Sequence, residues 1–303
     1  MFSLLRSATA ALALSLATIA GVSAACPDEY AMGAPPELLN ERMSERTNAL
    51  CFEEMAVLHS GLTRTPLYAA EYLDRQQILE AWEIERDDSF HAEDALPEEY
   101  RSELEDYRGS GWDRGHLAPA ADFPTASSQS ESFSMANIIP QHPGNNREIW
   151  ADIERTVRAW ALESGEVYVV TGASFIGADL QALNERVVIP THVWKAVYDP
   201  VAGMAGAYWT PNVDDAGWTE ISIAHLRETA EIDPFPGLPE EMKASTHDLP
   251  DPMDYIDRQG FYAVSGPADG SAGVSPEAIS TENTGNVADD ALSAIRDVLR
   301  LLK

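Results

Sequence analysis

Apolar and polar positions change their spacing several times along the 303 residues of the chain. Between residues 35 and 60, Met43, Leu50, Met55 and Leu58 recur at helix-like intervals, and a stretch with strand character follows over 67–73. The acidic run 83–106, with Pro97 inside it, has no period and reads as a solvated surface segment. After Asn145 the positions Ile149, Trp150, Ile153, Val157, Trp160 and Ala161 step by one, three and four, making a single apolar stripe on a helix. Val, Ile, Tyr and Trp then dominate 166–171, 186–189, 192–198 and 204–210, with Gly and Pro between them. The pattern predicts an α+β domain, a central, mainly antiparallel sheet with helices packed on it. A short helix is expected over 219–229, before the turn-rich 233–239.

The two ends read differently. Residues 1–25 carry one Arg, an apolar run and small residues ahead of Cys26, the build of a secretory signal peptide. Its removal would leave a secreted or periplasmic protein with no membrane attachment; lipidation of Cys26 is disfavoured by Ser23, where a Leu would be expected. From Val264 the chain is rich in Gly, Ser and Ala and is expected to be a flexible linker, 264–288. A short amphipathic helix, 289–303, then places Leu292, Ile295, Val298, Leu299 and Leu302 on one face, open to docking on the domain or on another chain, as in a homodimer. Residues 26–263 remain as one domain. The export signal sends the two cysteines, Cys26 and Cys51, to an oxidising compartment, where they are expected to pair and tie the new N-terminus to the first helical segment.

Charge complicates any functional reading. The net charge is −30, and the leader's loss would remove Arg6 alone. Such a surface favours solubility and opposes unassisted binding to polyanions or acidic membranes. A nucleic-acid partner has to overcome that.

The texture of SGWDRGHLAPAADF, rich in turn formers, marks a loop of the kind on which function tends to sit. Three elements stand out: Asp113-Arg114-Gly115-His116, Asn137 in MANIIPQ, and Asn146 opening NREIWADIERTVR. Each has an ordinary explanation, and Asn145 with Glu148 fits a helix N-cap and its reciprocal partner. At about 100° per residue from Asn146, however, Ile149, Ile153, Val157 and Trp160 fall at roughly 300°, 340°, 20° and 320°, so the amide points into the apolar stripe. Left unpaired there it would cost about 1–3 kcal/mol. A hydrated hard cation would satisfy it, because an amide oxygen is a good Mg²⁺ ligand. Glu154 and Arg158 flank the stripe one turn apart, and their simplest reading is a surface ion pair.

Taken together, GWDRGHLAPAADF, SMANIIPQ and NREIWADIE resemble the DNA/RNA non-specific endonuclease family, whose active site is of the ββα-metal type. Asn137 and Asn146 stand nine apart, and Trp150 is followed four residues on by Glu154, as that pattern asks; Ala136 departs from its usual Ser or small polar residue. The similarity runs from about Cys51 to Pro239. It implies that His116, with an ordinary imidazole pKa near 6.5, is the general base, and that Arg114 stabilises the pentacovalent phosphate. It further implies that Asn146 is the one direct ligand of Mg²⁺, with Mn²⁺ as a substitute, and that Glu154 accepts from the ion's waters. Asn137 would brace the His116 loop, and Arg158 and Arg147 would touch phosphate. DNA and RNA are the implied substrates and 5′-phosphates the implied products; a protein inhibitor as partner stays open. Arg108, Arg114, Arg147, Arg155 and Arg158 are expected to form a small positive groove on the acidic body. Two alternatives stand beside this reading. One is a metal-dependent phosphodiesterase of the same fold on another substrate, favoured by the charge alone; the other is a catalytically dead binding module, which intact His116, Arg114 and Asn146 disfavour.

Overall fold

Seven antiparallel strands form the main sheet of the computed structural model, which describes residues 26–252. Strands β1 (Thr47–Cys51), β2 (Ala56–Ser60) and β3 (Thr65–Asp74) follow one another directly. A separate two-stranded hairpin comes next, β4 (Asp113–His116) with β5 (Ile138–Gln141). The main sheet resumes with β6 (Glu166–Ser174), β7 (His192–Asp199), β8 (Met204–Pro211) and β9 (Thr219–Ile221), in the spatial order β9-β8-β7-β6-β3-β2-β1. The central pair is set by Tyr68 opposite Gly172 and Asp74 opposite Glu166. The expected mainly antiparallel α+β architecture is the one observed.

Helices cover both faces. α1 (Arg75–Ala81) starts where Asp74 caps the amide of Gln77 at 2.8 Å, and α2 (Ala126–Ser132) starts at a capping box between Thr125 and Ser128. The longest, α3 (Ala151–Ser164), ends at Gly165 with φ 107°, a conformation glycine adopts without strain. α4 (Ile223–Ala230) is capped by Ser222. Alternation along the strands sorts the core into two layers. Val57, Ala69, Leu73, Val167, Val169, Val193 and Val197 face Trp150 and α3's Ile153, Val157, Trp160 and Ala161. Tyr68, Ala70, Val170, Trp194, Ala196, Ala205 and Ala207 face α4's Ile223, Leu226 and Ala230 together with Phe235. With both faces covered, the central strands read as nearly continuous apolar runs. A third, smaller cluster, Tyr107, Met135, Ile138, Leu183, Val187 and Ile189, lies beside the hairpin.

Four sequence expectations are corrected. The helix-like spacing of Leu50, Met55 and Leu58 comes from two strands, β1 and β2, joined by a tight turn in which Phe52 donates to Met55 at 2.9 Å. Cys26 and Cys51 do pair, but the bridge ties residue 26 to the end of a strand rather than to a helix. The span 219–229 divides into β9 and α4, because Ser222 ends the strand and caps the helix. Strand structure within 186–189 is limited to Val187–Val188, paired with Ala182–Leu183. The expected leader, the linker 264–288 and the terminal helix lie outside the described residues. No described helix is long and apolar enough to cross a membrane.

Candidate active site

The hairpin and the start of the α3 segment build the site together. Along β4 the side chains alternate, so Arg114 and His116 share one side and Asp113 and Gly115 the other. A Cβ on Gly115 would collide with the side chain of Gln141, which crosses this point and donates to Asn145 Oδ1 at 2.6 Å. Asn145 in turn donates to Thr210 Oγ1 and, at 3.0 Å, to the Pro211 carbonyl. It therefore ties β5 to β8 and is not a helix cap.

Residues Asn145–Trp150 form one π-helical turn before α3 begins. Such turns recur at functional sites because they re-aim side chains that a regular helix would place elsewhere. The wheel drawn at 3.6 residues per turn therefore does not describe how Asn146 is aimed. Its side chain is 4% exposed, and its amide nitrogen donates to Asp113 Oδ2 at 3.1 Å. Asp113 also accepts from Arg147 Nε at 2.7 Å and Nη2 at 2.6 Å, a bidentate, charge-assisted pair. With the nitrogen committed to a carboxylate, the orientation of the amide is fixed. The Asn146 oxygen accepts no hydrogen bond from the described residues.

His116 is 2% exposed and packs against Phe90 at 5.3 Å and edge-on against Phe133 at 4.9 Å between ring centroids. Burial, then the positive Arg86 and Arg114, holds its imidazole well below the usual histidine range. The expectation of an ordinary value near 6.5 is thus corrected; the ring is neutral at neutral pH. Asn137 ties the stretch after His116 to the end of α2. Its oxygen accepts from the Ala118 amide at 3.0 Å, and its nitrogen donates to the carbonyls of Ala118 at 2.8 Å and Ser132 at 2.9 Å. Its own carbonyl accepts from the Leu117 amide at 3.1 Å.

Below the hairpin lies a layer of buried charge. Arg158 donates to Asp122 at 2.7 Å, and Lys195, on the sheet face that meets α3, donates to Thr171 Oγ1 at 2.6 Å and to the Leu117 carbonyl at 3.3 Å. Glu154 is buried as well, and burial pushes its carboxyl up to about 7 against the pull of Lys195 and Arg158. Glu71, fully buried on β3, is raised well above the carboxylate range by burial and then by Asp122, with Lys195 opposing. Glu154 and Arg158 are therefore not the surface pair that their helix spacing suggests. Sequence reasoning passed over Lys195 and Glu71, although a charge inside an otherwise apolar strand was a usable signal. It also passed over the grip of Asp113 on Asn146, and over Phe90, for which an isolated aromatic in an acidic run gave no signal.

The five arginines of the expected groove are mostly neutralised. Arg147 pairs with Asp113, Arg158 with Asp122, Arg155 with Asp152, and Arg108 with Glu105. Arg114 pairs with no carboxylate among the described residues; its guanidinium sits 4.1 Å over the Phe90 ring.

The chain is similar to several known nucleases. The chain is 33% identical to Nuclease C1 of Cunninghamella echinulata over 168 residues, 52% of this chain and 67% of that protein. It is 33% identical to mitochondrial Nuclease 1 of Schizosaccharomyces pombe, over 46% of this chain and 48% of that protein. It is 30% identical to mitochondrial Endonuclease G of Bos taurus, over 67% of this chain and 73% of that protein. The chain thus spans between about half and three quarters of the length of these relatives. Its fold is similar to that of a chain in the crystal structure of the EndoG/EndoGI complex, with a TM-score of 0.57 at 22% identity, covering 69% of this chain and 96% of that one. The model of the DNA/RNA non-specific endonuclease family matches residues 36–241, which take in the whole hairpin, the π turn and α3, and the chain belongs to that family.

Proposed function

We propose that this protein is a Mg²⁺-dependent endonuclease, secreted or periplasmic, that hydrolyses phosphodiester bonds of both DNA and RNA and leaves 5′-phosphates. The observation that carries the reading is the Asp113 carboxylate holding the Asn146 amide nitrogen while the amide oxygen stays uncommitted. Among the described residues no three His, Cys, Asp or Glu side chains gather as a metal cage. One amide oxygen and water suit Mg²⁺, which keeps most of its hydration. Bound there, the ion would neutralise a non-bridging phosphate oxygen and the departing 3′ oxygen.

The remaining steps belong to the chain's own groups. His116, kept neutral by burial and two arginines, takes the proton of the attacking water. Arg114 offers its guanidinium to the charge that builds on phosphorus. Asn137 and Lys195 fix the backbone at Leu117 and Ala118, next to the base. Glu154, on the first turn of α3, would accept from the waters of a bound ion. Arg147 and Arg158, expected at phosphate, are held by Asp113 and Asp122 instead, which leaves Arg114 as the arginine of the site whose charge no carboxylate cancels among the described residues.

The reading is tested by incubating plasmid DNA and RNA with the purified protein, with and without EDTA. Cleavage of both that stops with EDTA and returns with Mg²⁺ or Mn²⁺ supports it, with 5′-phosphate ends on the products. Cleavage unaffected by EDTA, or none of either polymer, overturns it.

A further inference from the structure

The acidic segment 83–106 reads in the sequence as solvated loop, yet it delivers one aromatic ring to the site. Phe90, half-buried, lies under the Arg114 guanidinium at 4.1 Å and packs on the His116 ring at 5.3 Å. It also meets Phe133 edge-on at 4.9 Å, and Phe133 carries the Arg86 guanidinium at 5.1 Å. Two phenyl rings, two guanidinium groups and the imidazole thus form one continuous packed unit.

The segment is held against the body of the protein. The His91 amide donates to the Phe133 carbonyl at 3.2 Å, the Met135 amide to the His91 carbonyl at 2.8 Å, and Ser134 Oγ to Glu93 at 2.7 Å. Arg114, by contrast, donates no hydrogen bond to the described residues and pairs with no carboxylate among them. In a chain of net charge −30 this leaves the ring face of Phe90 as the contact that seats it. The arrangement is suited to catalysis. A carboxylate partner would cancel the charge that the phosphate needs, whereas a π face orients a guanidinium without neutralising it.

We propose that Phe90 is a positioning residue of the nuclease site, acting through Arg114: its ring seats the guanidinium beside His116 with the full positive charge still available to substrate. The proposal rests on the nuclease reading of Arg114 and His116. A leucine at this position keeps most of the apolar volume and removes the π face, while tyrosine keeps both.

The experiment compares plasmid nicking by the wild-type protein and by Phe90→Leu, Phe90→Tyr, Arg114→Ala and the double variant Phe90→Leu/Arg114→Ala, each checked for a native melting transition. Phe90→Leu is expected to lower kcat about 5- to 30-fold, the range set by a cation–π contact of this kind, with KM changed less than about 2-fold. Phe90→Tyr should restore activity to within about 3-fold, and in the Arg114→Ala background Phe90→Leu should cost less than about 2-fold. A Phe90→Leu variant as active as wild type overturns the proposal, and so does an equal loss with and without Arg114. The ring-current shift of the Arg114 side-chain NMR signals is read in parallel, present in wild type and Phe90→Tyr and lost in Phe90→Leu. If the wild type cuts neither DNA nor RNA, the nuclease reading fails separately, and an Arg114 signal unmoved by Phe90→Leu would still reject the seating.

Discussion

Across 33 residues of sequence, the Asn146 amide nitrogen donates to Asp113 Oδ2 at 3.1 Å, so that the aspartate of the hairpin decides which atom of the asparagine faces away from it. Asp113→Ala should therefore act like a loss at the metal site, although Asp113 touches neither ion nor substrate in the proposed mechanism. Outer partners of metal ligands are typically worth about 10- to 100-fold in affinity or activity, and a rise of that size in the Mg²⁺ concentration for half-maximal nicking is expected. Arg147, its side chain 42% exposed, can turn to solvent when its partner is removed, so the melting temperature should fall only modestly. An unchanged Mg²⁺ response would mean that the grip on Asn146 is dispensable.

The imidazole of His116 lies well below its ordinary range, because burial and the charges of Arg86 and Arg114 both disfavour its protonation. A base must be deprotonated to act, so activity is lost only as pH falls through this lowered value. The acid limb of log kcat/KM against pH should then lie below about 6.5, the unperturbed histidine value. A limb at or above that point would show that the ring is not desolvated in the working enzyme.

Much of the site was legible in the sequence because its chemistry is local. Asp113 to His116 form one strand, and the asparagines lie in short segments whose residue types already demanded partners. The partners themselves were not legible. Lys195 reaches Leu117 across 78 positions and Asp122 meets Arg158 across 36, and no periodicity encodes which distant side chain fills a buried polar vacancy. The first β hairpin was missed for a related reason. Leu50, Met55 and Leu58 repeat at intervals that a helix and a tight two-strand turn produce alike, and only the pairing with β3 decides between them. The π turn escaped because one widened turn leaves the apolar stripe of the following helix unchanged.

Glu71 and Glu154 give stability a pH dependence of definite sign. Both are raised in the folded protein, Glu154 to about 7 and Glu71 well above the ordinary carboxylate value, so between about pH 4.5 and 7 the folded state binds more protons than the unfolded chain. Their contribution to stability should thus fall as pH rises through that window. In the apo protein, Glu154→Gln should flatten the dependence of unfolding free energy on pH there, measured by urea denaturation. A steeper dependence, or one of opposite sign that this variant removes, would place the group ionised in the folded core.

Salt should separate this nuclease from basic DNA-binding proteins. Four of the five arginines near the motifs already face carboxylates, and the chain carries −30. Few phosphate contacts give a shallow counterion-release slope, while added salt screens the long-range repulsion of substrate. The kcat/KM on duplex DNA at saturating Mg²⁺ should stay flat or rise between low and moderate NaCl before it declines. A steep, monotonic fall from the lowest salt would point to a larger basic surface.

The central claim is that Asn146 holds the catalytic ion through its side-chain oxygen, and a Mg²⁺ titration of plasmid nicking by Asn146→Ala, run beside a melting curve of the same protein, tests it most directly. The side chain is buried and bonded to Asp113, so some loss of stability is expected. The account predicts a protein that remains folded at the assay temperature, with a maximal rate at least about 100-fold lower and a Mg²⁺ requirement shifted upward. A variant that melts earlier yet nicks at the wild-type maximal rate with the wild-type Mg²⁺ response would contradict it, and would reduce Asn146 to a structural partner of Asp113.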